Sequence, residues 1–255
     1  MNEREQPGSL SRPRLIAMAH SHYAEMARWA LDAAKVDYVE ERHLPLLHRL
    51  HTMRVGGGSV PVLITSAKVY TESSDILKYA AAMAPAALCS GDPVQQQQRD
   101  ELVEYFGKAF GPHTRRWAYF QMLGSVQLLN TCVSTGVPRN ERWATPVVMF
   151  FVRPLIRRVM QITPESANRS LATVRAVFAW VGELLTDGRH FLVGDHLSAA
   201  DIAFAALAAP VLLPPEFGGA LPDLAAVNSS MREEVQRLRA EPAGMFALRL
   251  YKARR

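Results

Sequence analysis

The 255-residue chain predicts a mixed α/β domain followed by an all-helical one, and three observations carry that reading. Between residues 14 and 82, short apolar runs of strand length alternate with stretches of helical spacing. From residue 94 to the C-terminus the apolar positions follow a helical period throughout. Between the two, Pro85 to Pro93, with Gly91 and Asp92, reads as a linker, dividing residues 14–84 from residues 94–251. The length allows one large domain or two small ones with substantial cores, and a hydrophobic content of 49% with 21% charged residues fits a folded globular chain and not a disordered one.

In order, Met1 to Pro13 is polar and reads as a frayed arm without the apolar core of a signal peptide. Arg14 to Ala19 predicts a first strand. Tyr23, Ala27, Ala30, Leu31 and Ala34 keep one face of a first helix. Tyr38 to Arg42 is a second short strand, and Leu44 to Met53 a weaker helix bearing histidines. The run Gly56-Gly57-Gly58-Ser59-Val60-Pro61 leads into the strand Val62 to Ile64, a turn over residues 65–68, a strand over Val69 to Thr71 and a helix carrying Ile76, Leu77 and Ala80. The order β-α-β-α-β-β-α is that of a thioredoxin-like domain.

Two features of the Gly56–Ala80 stretch have chemical content. Pro61 cannot donate to a ladder, so it marks the start of a strand, and Val60-Pro61 is the chain's main candidate for a cis peptide. A cis bond there turns the N–H and C=O of Val60 outward, where another peptide can pair with them. Ser73 stands where strand gives way to helix, beside the orphan N–H groups of a first turn, and Glu72 just ahead supplies a carboxylate. One helix start thus offers partners to both ends of an amino acid zwitterion.

Val-Pro, strand, turn, strand, then Glu-Ser-x-x-Ile-x-x-Tyr resembles the glutathione site of soluble glutathione transferases. The resemblance implies that Pro61 is cis, that Val60 pairs with the cysteinyl backbone of glutathione and that Glu72 and Ser73 grip its γ-glutamyl end. It also implies a cationic contact to the glycyl carboxylate, for which His48, Arg49 and Arg54 are candidates. At the first helix, Ser21-His22-Tyr23-Ala24 with Arg28 resembles the Cys-Pro-Phe-Ala stretch of omega-class enzymes. Ser21 takes the position of their cysteine, where zeta-class enzymes carry a catalytic serine. Serine here argues against mixed-disulfide or deglutathionylation chemistry. The first helix also resembles bacterial transferase-like proteins with Glu-x-x-Arg-Trp-Ala-Leu-Asp, here Glu25 and Arg28 to Asp32.

A magnitude supports the serine. A thiol titrates near 8.5, so lowering it well below pH 7 needs a shift of about 2 units, or roughly 2.7 kcal/mol. A hydrogen bond to a charged group contributes about 1.5–3 kcal/mol, and a helix N-terminus adds to it. Against this stands the plain reading that Ser21 only caps its helix. Tyr23 is the second candidate donor, with packing on the apolar face as its alternative.

The helical half holds the other strong signature. In Phe191-Leu-Val-Gly-Asp-His-Leu-Ser-Ala-Ala-Asp-Ile-Ala, Ser198 and Asp201 have capping-box spacing, and Leu197 and Ile202 that of a hydrophobic staple. It resembles the folding motif of the transferase helical domain, which makes Asp201 structural. Runs over Val94 to Phe110 and His113 to Ser134, broken at Gly111-Pro112, precede it, with a loop over Gly136 to Asn140. Thr145 to Ile162 is apolar with Arg153, Pro154, Arg157 and Arg158 inside, too short and too charged to span a bilayer. Burial in the helical domain is expected for it over a place on a membrane surface or a partner. Further helices are predicted over Pro164 to Asp187, Ala199 to Leu213, Pro222 to Arg239 and Ala243 to Tyr251.

Other chemistry is thin. His43, His48 and His51 cluster without a thiol or carboxylate to complete a ligand set, so no metal is expected. The glycines lack the spacing of a phosphate loop. Cys89 and Cys132 make no paired motif, read as reduced cytosolic thiols and are expected away from the site. The net charge of +5 is partly a basic C-terminal tail, with no stripe suited to nucleic acid. The resemblance therefore implies a cytoplasmic, homodimeric transferase. It takes glutathione as co-substrate and no cofactor, and joins the thiolate to a small hydrophobic electrophile near Ser21. Arg115, Arg116, Trp117 and Phe120 are candidates for the second pocket. A non-catalytic module of the same fold, binding glutathione, another thiol or a partner, is the alternative.

Overall fold

The structure, a computed structural model, describes residues 12–84, 88 and 92–254. Most of the expected arm and linker, with Cys89, lies outside those residues. Strand β1 (Arg14–Ala17) leads to α1 (His22–Ala33), β2 (Val39–Arg42), a short α2 (His48–Thr52), β3 (Val62–Ile64), β4 (Val69–Tyr70) and α3 (Ser73–Met83). The sheet order is β2-β1-β3-β4, with β1 parallel to β2 and the other pairings antiparallel. This is the expected β-α-β-α-β-β-α order. β1 and β3 read as short continuous apolar runs because Leu15–Ala17 and Val62–Ile64 are buried on both faces.

The Val60–Pro61 peptide is cis. Gly56 ends the turn after α2 with φ +84°, and a Cβ on Gly57 would sit 2.7 Å from Val62 Cγ2, so at both positions the glycine is required by the backbone path. Gly58 faces open space.

The helical part runs α4 (Pro93–Tyr105), α5 (Gly111–Met122), α6 (Val126–Ser134), α7 (Arg139–Val159), α8 (Pro164–Leu184), α9 (Ala199–Leu212), α10 (Ser229–Ala240) and α11 (Pro242–Ala253). Several boundaries differ from expectation, among them the start of α7 at Arg139, inside the expected loop over Gly136 to Asn140. A π-turn over Phe106–Phe110 carries α4 into α5 without a break; Pro112 stands at the junction and cannot donate, and the Gly107 carbonyl five positions before it accepts from the Tyr23 hydroxyl. Helix α5 stops at Met122, and Ser125 caps α6. Residues 222–228 are not helical; Asn228 caps α10 and so sets its start.

Helix α9 is the axis of the molecule. Every one of its residues is buried, and it packs on α1, α4, α5, α10 and α11. Phe204 sits among Phe106, Phe110, Phe178 and Phe246, with ring centroids 5.3–6.2 Å apart. Its N-terminus carries the expected capping box: the Ser198 N–H donates to Asp201 Oδ2 at 2.7 Å. The Leu192 N–H donates to Asp201 Oδ1 at 2.7 Å, so the aspartate also pins the preceding loop. Burial raises its carboxyl to about 6 despite those donors.

The Glu25-x-x-Arg28 pair of α1 joins the sheet to the chain's end. Glu25 is fully buried and accepts from Arg28 Nε at 3.1 Å, Arg254 Nη1 at 2.5 Å and the Gly218 N–H at 2.9 Å. Arg254 also donates to Asp32 at 2.6 Å. A Cβ on Gly219 would lie 1.7 Å from the Ala19 carbonyl oxygen, so only glycine lets this loop close on β1.

Candidate active site at the start of α1

The loop after β1 ends at Ser21, the N-cap of α1. Its Oγ accepts from the Ala24 N–H at 3.2 Å. Capping uses an oxygen lone pair and leaves the hydroxyl proton for another acceptor. Ser21 is 8% exposed and lines a cavity of about 340 Å³.

That cavity lies between the sheet and the helices. Ser21, His20, His48, Arg49, Ser59 and Val60 form one side, and apolar residues of α5, α6 and α7 the other. Val60 therefore stands where the cis peptide faces the cavity. Of the cationic candidates, His48 and Arg49 line it and Arg54 does not. His48 Nδ1 is shielded from solvent without a hydrogen bond, and burial lowers its pKa.

Tyr23 is placed differently from Ser21. Its hydroxyl donates to the Gly107 carbonyl at 2.7 Å, so its one proton is already used on the π-turn. Burial raises its pKa, against the charge of Arg115, which lowers it, and with a smaller upward push from Glu72. The ring also borders a second hollow of about 540 Å³, which Glu72 and Ser73 line together with Arg99, Lys78, Lys108 and Asp100. The two halves of the expected glutathione site thus open on two adjoining cavities with Tyr23 at the partition. Ser73 begins α3 as expected, and Glu72 is its N-cap, with an exposed carboxylate that makes no ion pair among the described residues. Pro61 is buried behind Val60.

The second-pocket expectation is corrected in three of four residues. Arg115 lines the cavity, its guanidinium 5.8 Å from the Tyr23 ring centre. It makes no ion pair among the described residues, and its Nε is shielded without a partner. Arg116 instead donates to the Met160 carbonyl and to Ser170. Trp117 packs in the core and the half-buried Phe120 against it, because their positions on α5 face away from the cavity. The apolar lining comes from Tyr119, Met122, Leu129, Val152 and Ile156.

Two neighbours of Ser21 were missed by sequence reasoning. His20 Nε2 shares a hydrogen bond of 2.9 Å with the Tyr119 hydroxyl, and burial lowers its pKa to about 4. His22 Nε2 donates to the Gly111 carbonyl at 3.0 Å, and burial holds its pKa near 3. Both imidazoles are neutral at pH 7, which leaves Arg115 and Arg49 as the charged cationic side chains on the lining. Adjacency to Ser21 was the only available signal. Cys132 also lines the cavity, contrary to its expected distance from the site; burial raises its thiol to about 11 and keeps it protonated.

The histidine cluster gains the carboxylate that the sequence lacked. Glu141, from the start of α7, accepts from His43 Nδ1 at 2.6 Å and from the Leu44 N–H at 2.9 Å. His43, His51 and Glu141 bring one ligand atom each to within 4.8 Å of one another. The two imidazoles stack face to face, centroids 3.7 Å apart at 14°. Metal–imidazole bonds lie in the ring plane, which parallel stacked rings do not share, so the trio as placed is a hydrogen-bonded clasp between α7 and the sheet.

Comparison with known proteins agrees with this fold. The family model for the glutathione S-transferase N-terminal domain matches residues 15–87, and that for the C-terminal domain matches residues 164–227. Curated protein sequences give no match. Among solved structures, the chain is similar to the beta-etherase LigF from Sphingobium sp. strain SYK-6, at 19% identity and TM-score 0.57, covering 93% of this chain and 99% of that one. It is similar to the theta class glutathione S-transferase of Xanthomonas axonopodis pv. citri with glutathione bound, at 18% identity and TM-score 0.51, covering 94% and 97%. It is also similar to Ure2p5 from Phanerochaete chrysosporium, cocrystallized with 1-(S-glutathionyl)-2,4-dinitrobenzene, at 17% identity and TM-score 0.54, covering 95% of each. At such identities these structures speak to the fold. With both domain models matched in order over just over half its length, the chain belongs to the glutathione S-transferase family.

Proposed function

We propose that this chain is a glutathione transferase in which Ser21 holds the thiolate of glutathione and the apolar cavity receives a small hydrophobic electrophile. The observation that carries the reading is Ser21 itself: a hydroxyl with its proton free, at a helix N-terminus, on the wall of a cavity shared with Val60 and Arg115. The Ser21 hydroxyl, the first-turn amides and the unpaired Arg115 charge all favour the anion over the thiol. In this reading Val60 pairs with the cysteinyl backbone, His48 or Arg49 meets the glycyl carboxylate, and Glu72 with Ser73 takes the γ-glutamyl end past Tyr23. The thiolate then forms a carbon–sulfur bond as the leaving group departs with its electron pair. No cofactor beyond the co-substrate enters, and a cytoplasmic homodimer completes the proposal.

Ser21→Ala is expected to lower conjugation of a reactive aryl halide at least about tenfold, the loss of one charge-assisted hydrogen bond. Unchanged turnover would move the role to Tyr23 or to the backbone amides. The non-catalytic reading draws support from the separation of Glu72 and Ser73 from the Ser21 cavity. Calorimetric titration distinguishes the two. Glu72→Gln is expected to weaken glutathione roughly ten- to a hundredfold with little change in melting temperature. No heat of binding in the wild type at millimolar glutathione would leave the module reading in its place.

A further inference from the structure

Helix α7 is apolar on both sides. Its inner residues Met149, Val152 and Ile156 pack inward, while Trp143, Val147, Phe150, Phe151, Leu155 and Val159 stand outside. Trp143 is 87% exposed, Phe150 74% and Val159 71%. The spacing i, i+4, i+7, i+8, i+12, i+16 makes these one stripe along the helix, with Pro146 and Pro154 on the same side. Nothing among the described residues covers it, which overturns the expectation that this segment is buried. The whole helix also lies outside both stretches matched by the family models.

The charges on this face have one sign. Arg139 and Arg142 stand at one end and Arg157 and Arg158 at the other, all exposed and none ion-paired among the described residues. The one acidic residue of the helix, Glu141, is buried in the clasp with His43. The helix is held from behind by that clasp and by Arg153, which donates to the Leu123 carbonyl. No helix among the described residues is long and apolar enough to cross a membrane. An aromatic stripe flanked by arginines on a helix that does not span suits the headgroup–acyl boundary of an anionic bilayer. A second copy fits less well. Two-fold pairing of this face would bring like-charged ends together without a carboxylate between them.

We propose that the outer face of α7 seats this protein on an anionic lipid surface. Leu155 and Val159 belong both to the exposed stripe and to the lining of the Ser21 cavity, so seating the helix brings the cavity's rim to the lipid. It follows that the electrophile enters from the bilayer, being lipophilic enough to partition there; this corollary alone rests on the transferase reading.

The test is sedimentation of the full chain with vesicles of phosphatidylcholine alone or mixed with phosphatidylglycerol, read without any turnover, so that its failure is distinct from failure of the transferase reading. The wild type is expected to bind the anionic vesicles, with a blue shift in tryptophan emission that Trp143→Phe removes. Arg157→Gln with Arg158→Gln should lower partitioning roughly 30-fold, from about 1 kcal/mol per charge at 1.4 kcal/mol per decade. Phe150→Glu with Phe151→Glu should lower it about a hundredfold or more while leaving the thermal melt in place. Should the phenylalanine variant misfold, the arginine variant still decides. Absence of wild-type binding, binding indifferent to either pair, or a dimer that the phenylalanine change dissociates in a protein without vesicle affinity would overturn the proposal.

Discussion

Helices α7 and α9 each carry a long run of apolar residues, and they end in opposite situations. Helix α9 is surrounded on all sides, and all its residues are buried. Helix α7 has two apolar faces and one neighbour surface; the inner face walls the Ser21 cavity and the outer face meets solvent. The difference lies in what flanks them. Helix α9 has no charged residue beyond its capping Asp201, whereas α7 carries arginines at both ends of its outer face. A helix apolar all round with no charge belongs to a core. An apolar stripe edged with cations suits an interface whose other side is anionic.

Four substitutions test this contrast. The largest effect is expected at the centre of α9: Phe204→Ala removes a ring from an aromatic cluster and should cost about 3–5 kcal/mol in urea denaturation. A cost below about 1 kcal/mol would mean that α9 is not the axis described. Next comes its cap. The folded Asp201 carboxyl, raised to about 6, binds its proton more tightly than an unfolded aspartate near 3.8. Its contribution is therefore complete below the unfolded value and is lost as pH rises through about 6. Relative to Asp201→Asn, the wild type should gain up to about 3 kcal/mol between pH 7 and pH 4. A gap that widens toward alkaline pH would contradict the sign.

Smaller effects are expected at α7. Glu141→Gln keeps the shape of the clasp but turns an amide toward donors of His43 and Leu44, and should lower stability by about 1–3 kcal/mol. An unchanged denaturation midpoint would show that the clasp does not hold the helix. Smallest of all, Phe150→Ser on the outer face should change the stability of the free protein by no more than about 0.5 kcal/mol. A loss comparable to that of Phe204→Ala would show that Phe150 is covered in solution, and the contrast between the helices would collapse.

Local chemistry made much of this molecule legible. The cis bond at Pro61, the helix start at Ser73, the N-cap at Ser21 and the capping box of Ser198 and Asp201 depend on residues within a few positions of one another, so spacing carries them. The choice between Ser21 and Tyr23 stayed open, because what distinguishes them is the carbonyl of Gly107, 84 positions away. The same separation hid Glu141 from the histidines: its partner His43 lies 98 positions earlier.

The sequence by itself determined the order of strands and helices, the two domain signatures and the apolar character of α7 and α9, since hydrophobic period and capping act over one or two turns. Tertiary structure alone decided which face of α7 has a neighbour, that Cys132 and Arg115 share a wall with Ser21 and that Arg116 and Trp117 do not. It also decided that Glu25 of α1 is neutralised by Arg254 at the other end of the chain. These are facts about which surfaces meet. Burial, ion pairing and cavity lining arise only where elements distant in sequence close on one another, and no local pattern records the partner.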